Sequence, residues 1–119
     1  MSTLPTADLE LTQGLPFARG YRFLDATRAW PAGAGCEARA QTRWRAAGEV
    51  TYDLTPHLQL LVDGADIVVT LTLAGADTRL IPEGEHVYDL YLSDVGGIDQ
   101  RARRVAGTCS VAVAITSAT

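Results

Sequence analysis

The chain has 119 residues, ten basic residues that are all arginine, a net charge of −4 and a pI near 5.0. That length fits one domain, taken as residues 1–119, with a core large enough to need no cofactor or metal. The acidic balance argues against nucleic acid as a partner, and the 47% hydrophobic content argues against disorder.

Met1 to Asp8 has neither the basic nor the apolar stretch of a secretory signal, so the chain is expected to be made and kept in a cytoplasm. No apolar run is long enough for a membrane-spanning helix, and no membrane partner is expected. Asp8–Thr12 and Phe17–Leu24 read as strands around Gly14 and Pro16. Asp25–Gly35, with Pro31, Gly33 and Gly35, reads as a loop that leaves Trp30 free of the core.

Cys36–Arg45 alternates most clearly. Cys36, Ala38, Ala40, Thr42 and Trp44 share one face, and Glu37, Arg39, Gln41, Arg43 and Arg45 the other. The first face is expected in the core and the second in water or against a partner. Ala46-Ala47-Gly48 then links to a strand over Glu49–Leu54. Leu58–Val62 and Ile67–Leu73 flank Asp63-Gly64-Ala65-Asp66, which has the Asp-Gly signature of a hairpin turn.

Ala74–Glu85 reads as a connection holding one helical turn. His86–Ser93 is a strand and Asp94–Gly97 a turn. Ile98–Val105 and Thr108–Ile115 are read as two strands separated at Ala106-Gly107, where Gly107 marks a turn or a bulge. Short strands with turns about every 8–12 residues define the class. It is all-β, an immunoglobulin-like β-sandwich of about eight short antiparallel strands. Trp44, Tyr52, Val69, Leu71, Leu90, Val111 and Val113 are its expected buried positions.

Nothing in the sequence assembles a catalytic, cofactor or metal site, and the chain is not expected to be an enzyme. His57 and His86 read as polar residues at strand ends, with no nucleophile motif beside them. Asp63 and Asp66 lack the distal ligands of a calcium loop and belong to a turn, as do Asp94 and Asp99 around Gly96-Gly97. Val95-Gly96-Gly97 precedes no helix and cannot cradle a phosphate. Cys36 and Cys109 fall in apolar strand patterns and are expected as free thiols. A bridge between them requires neighbouring strands.

The arginines are the most informative polar feature. Arg39, Arg43 and Arg45 line one strand face, and Arg101, Arg103 and Arg104 cluster near the end of the chain. Two readings stand: a solvated face with cross-strand carboxylate partners, or a docking surface for an acidic patch on another subunit.

The run Leu80-Ile-Pro-Glu-Gly-Glu-His-Val-Tyr88-Asp89-Leu90, the turn Asp94-Val-Gly-Gly97, the Arg103-Arg104 pair, Gly107 and the alternating valines to Ile115-Thr116 resemble a class of short bacteriophage proteins. That class includes β-sandwich collars or connectors for tail fibres and minor tail proteins. Leu9–Gly14 and Phe17–Leu24 are similar to its opening, with Thr-Gln-Gly-Leu in place of the usual start. The resemblance implies a structural protein of the virion, tail- or collar-associated. It would reach the particle after synthesis in the host cytoplasm, and join other virion subunits as a homo-oligomer. A capsid decoration protein and a soluble carbohydrate- or ligand-binding sandwich are the alternatives. For the latter, Trp30 and Trp44 are the candidate contact aromatics.

Overall fold

Period-two alternation becomes a pair of sheets in the computed structural model, which describes residues 8–28, 30, 36–45, 48–94 and 104–113. Strand β1 is Leu9–Thr12, β2 Phe17–Phe23, β3 Cys36–Arg43, β4 Val50–Asp53, β5 Leu58–Asp63, β6 Asp66–Leu73, β7 Gly84–Asp94 and β8 Arg104–Ala112. One helical turn, α1 (Gly75–Thr78), and two short 3₁₀ turns, Ala26–Arg28 and Thr55–His57, fill connections. The sheets run β1-β8-β7-β3-β4 and β2-β6-β5. With the second, sixth and fifth strands in one sheet and the third, seventh and eighth in the other, this is an immunoglobulin-like plan.

The core lies between the sheets. Ile67, Val69, Leu71 and Leu73 of β6 face Tyr88, Leu90 and Leu92 of β7, Ala40 of β3, and Cys109 and Val111 of β8. Each large aliphatic side chain buried there contributes about 1.5–3 kcal/mol. The Asp63–Asp66 turn forms as expected, closing the β5–β6 hairpin with Gly64 at φ +62°. A positive φ at the first loop position matches the twist of the flanking strands.

The connection from β1 to β2, which crosses between the sheets, is fastened differently. Gly14 N–H donates to Thr78 Oγ1 at 3.0 Å, and the same hydroxyl lies 2.9 Å from Leu15 O and 3.0 Å from Gly75 O. Thr78 is fully buried, so α1 clamps the β1–β2 turn. A side chain at Gly75 would meet Gly14 O at 2.5 Å, so only glycine permits this approach.

Several expectations are corrected. The sandwich is not wholly antiparallel: β1 pairs parallel with β8, Leu9 opposite Cys109 and Leu11 opposite Val111. No hairpin joins these two strands. The connection between them is most of the chain, long enough to allow parallel pairing. Residues 106–107 do not separate two strands, because β8 runs unbroken through them with Gly107 opposite Tyr88. A paired ladder accommodates glycine at a cost in propensity and need not turn there. Residues 98–103 and 114–115 lie outside the described residues.

The two tryptophans exchange roles. Trp30 is 2% exposed and packs in the core, whereas Trp44 is 49% exposed. Strand β3 ends at Arg43, and a register irregularity between Thr42 and Arg43 breaks the alternation just before Trp44. Val113, beyond the end of β8, is also exposed, and Tyr52 is only partly buried. Val69, Leu71, Leu90 and Val111 are buried as expected. Strand β7 lies between β3 and β8, so Cys36 and Cys109 are not on neighbouring strands, and no disulfide joins them. Among the described residues, no helix is long and apolar enough to cross a membrane.

Candidate docking face

On the five-stranded sheet the inward positions are the even residues of β3 and β7 and the odd residues of β1 and β8. The remaining side chains therefore point away from the core. The register arranges them in rows across the sheet. Arg39, Tyr91 and Arg104 form the first row. Asp53, Gln41, Asp89 and Ala106 form the second. Arg43, Val87 and Thr108 form the third. Glu85, Ser110 and Glu10 form the last.

Arg39 and Arg104 reach the same row from strands that are distant in sequence, with Tyr91 between them. The Arg104 guanidinium lies over the Tyr91 ring at 5.3 Å from its centroid, with Nε 3.8 Å from Asp89 Oδ2. Arg39 donates to Glu37 Oε1 at 2.6 and 2.8 Å, and this carboxylate holds its guanidinium above the ordinary value. Arg43 is held by neutral acceptors, Gly48 O at 2.8 Å and Gln41 Oε1 at 2.7 Å. Its charge has no carboxylate partner among the described residues, and only a few of its five N–H donors are used.

Between Arg43 and Arg104 the face sinks into an open groove of about 320 Å³. Gln41 and Asp89 line it with those arginines, and Val87, Ala106 and Gly107 add apolar surface. The groove exists because small residues of β8 lie between long side chains on β3 and at the start of β8 itself.

Arg45 does not belong to this face. It lies past the end of β3, exposed, and its carbonyl accepts from Gly48 N–H at 2.8 Å in the turn. The turn reverses the chain before the alternation can extend to it. Arg101 and Arg103 lie outside the described residues. The sequence suggested two arginine clusters, whereas Arg104 stands on the same face as Arg39 and Arg43. Alternation placed Gln41 on this face, whereas Tyr91 and Asp89 were not singled out. Their alternation with core residues was visible, but their meeting with Arg104 depends on strand order.

The histidines are not simple strand-end polar residues. His86 is fully buried beneath Trp44. Its Nε2 lies 2.8 Å from Pro82 O, which can only accept, so Nε2 carries the hydrogen. Nδ1 meets the Thr51 hydroxyl at 2.8 Å, and Thr51 meets Thr42 at 2.6 Å. This satisfied chain of polar groups permits the burial. His57 closes a 3₁₀ turn, with Nε2 3.1 Å from the Tyr52 hydroxyl and Nδ1 3.7 Å from Asp77.

No protein-family model matches the sequence, and no curated protein matches it. Among solved structures, the chain is similar to the GspB Siglec domain, with 12% identity and a TM-score of 0.55 over 90% of this chain. It spans about half of that structure's length, 54%. Weaker likenesses are to the second Ig domain of the mouse polymeric immunoglobulin receptor and to AggA from Escherichia coli. The first has 10% identity and a TM-score of 0.36, and covers 93% of this chain and 98% of that one. AggA, the major subunit of aggregative adherence fimbriae type I, has 12% identity and a TM-score of 0.35, covering 95% and 92%. The sheet order and the likeness to the Siglec domain show an immunoglobulin-like β-sandwich fold.

Proposed function

We propose that this chain is a non-catalytic assembly module that docks another protein through the outer face of its five-stranded sheet. One observation carries the reading. Arg39 and Arg43 of β3 and Arg104 of β8 converge on one face, around a groove beside Tyr91. Arginine and tyrosine together favour protein interfaces, where a planar guanidinium pairs with carboxylates and stacks on rings. The resemblance of Leu80–Thr116 to short bacteriophage proteins supports the finer reading. In it the module is a virion structural protein at the tail or collar, with head decoration the other position in the same class.

Exposed ion pairs such as Arg39–Glu37 contribute little in water. The same groups desolvated in an interface contribute far more, and losing one partner costs about 2–5 kcal/mol. Arg43→Ala should therefore leave the module folded and reduce its incorporation into particles. Mass spectrometry and immunogold labelling of purified particles test the placement. Detection at the tail supports the connector, detection on the head supports decoration, and absence from particles removes the virion reading. Unchanged occupancy of the Arg39, Arg43 and Arg104 triple alanine variant would make the face a solvated one.

The groove favours a second reading, a ligand-binding module. Its volume of about 320 Å³ is at the lower end for small-molecule sites. Trp30 is buried and cannot serve as the contact aromatic. Titration of the isolated chain with neutral and acidic oligosaccharides, read by chemical-shift changes at Gln41 and Ala106, separates the two readings.

A further inference from the structure

The two ends of the outer sheet face differ in charge. One end carries the Arg39–Tyr91–Arg104 row, with Glu37 paired to Arg39 and Asp89 beside Arg104, and the other carries Glu85 and Glu10 on either side of Ser110. Both glutamates are exposed, and neither has an ion-pair partner among the described residues. From Tyr91 to Glu85 is six residues of one strand, a separation of about 20 Å. The middle rows carry Asp53, Gln41, Asp89 and Arg43 beside the smaller Val87, Ala106 and Thr108.

We propose that the occupant of this face is a second copy of the same chain, packed face to face with its strands reversed. The inference rests on reading the face as a docking surface, and adds the identity of the partner. A two-fold axis lying in the interface and perpendicular to the strands sets each strand over its own counterpart, running the opposite way. Its centre falls at the level of Tyr88, midway between the arginine and glutamate rows. Arg104 of each copy then stands over the Glu10–Ser110–Glu85 row of the other. Arg43, one residue from the centre, stands over Gln41 with Asp89 and Asp53 on its flanks. The arrangement is isologous, so every pair forms twice. Reversing the face about the strand direction instead would set Arg104 over Arg39, and the like charges exclude it. Five strands spaced about 4.8 Å apart give a face of roughly 500 Å² per copy, so the pair buries about 1,000 Å², at the lower end for a specific complex.

Sedimentation of the isolated chain over micromolar to hundreds-of-micromolar concentrations tests the proposal, with circular dichroism confirming each variant's fold. The wild-type chain should dimerise reversibly. Glu85→Arg and Arg104→Glu should each weaken dimerisation about tenfold or more. The double variant should recover most of that loss, because its charges are exchanged within one symmetric face. Glu10→Arg, at an exposed position, provides an independent check. A chain that stays monomeric throughout, or single variants that dimerise as well as wild type, overturns the proposal. The docking face itself fails separately: if the chain is monomeric yet the Arg39, Arg43 and Arg104 triple alanine variant loses particle incorporation, the face stands and its partner is a different subunit.

Discussion

The Trp44 indole lies flat on the His86 imidazole, with ring centroids 4.2 Å apart and planes 15° from parallel. Its other close neighbour is Gly84, at φ +132°, where a Cβ would come 3.0 Å from Trp44 Cζ3. The indole is thus a cover over a buried polar chain, with about half of its own surface in water. Trp44→Ala should cost about 0.5–1.5 kcal/mol, the scale of an aromatic pair. Trp30→Ala, in the core, should cost about 3–5 kcal/mol. Urea melts of the two variants measure the difference. Equal losses would mean that Trp44 is as deeply packed as Trp30.

The cysteines should differ in reactivity. Cys109 is fully buried, and desolvation pushes its thiol up to about 11. A thiol at that value is almost wholly protonated near neutral pH and hidden from reagent. Cys36 is half-buried at the start of β3. Native-state alkylation followed by mass spectrometry should label Cys36 first and Cys109 only on unfolding. Equal labelling rates at the two sites would contradict the burial.

Thr78→Val keeps the shape of the side chain but removes the hydroxyl that meets Gly14 N–H and the carbonyls of Leu15 and Gly75. Polar groups left unpaired in a buried site cost about 1–3 kcal/mol. The variant should melt earlier, with hydrogen exchange accelerated first at Gly14. Thr78→Ser, which retains the hydroxyl, should recover most of the stability. If valine is as stable as serine, the hydroxyl is not the fastening.

Acid should loosen the tie between the end of β2 and the β5–β6 turn through Asp66. Its carboxylate is held below the ordinary range, first by the backbone N–H of Asp25 at 2.8 Å and then by Arg22. A lowered folded value means that the stabilisation is fully present above the unfolded value of about 3.9. It is lost as pH falls through the folded value. Thermal melts of Asp66→Asn should lie below wild type at neutral pH and converge with it below about pH 4. A constant gap across that range would refute the linkage.

Alternation along the chain was sufficient to place β3, the β5–β6 hairpin and the inward residues Val69, Leu71, Leu90 and Val111, because a half-buried strand must present every second side chain to the core. Turn-forming residues, not alternation, pointed to a helical turn within Ala74–Glu85 and to the hairpin turn that holds Gly64. Alternation could not say where a strand ends. Trp44 continues the pattern in sequence, yet the ladder slips at Arg43, so the residue leaves the core, and Arg45 leaves the outer row with it. Gly107 has the appearance of a break but lies in continuous pairing opposite Tyr88. Which strands stand side by side was decided by tertiary packing alone. The parallel union of β1 with β8, and the meeting of Arg39 with Arg104 across Tyr91, join residues far apart in sequence through backbone hydrogen bonds. Those bonds carry no residue signature, so the composition of the face was legible in the sequence, and its geometry only in the fold.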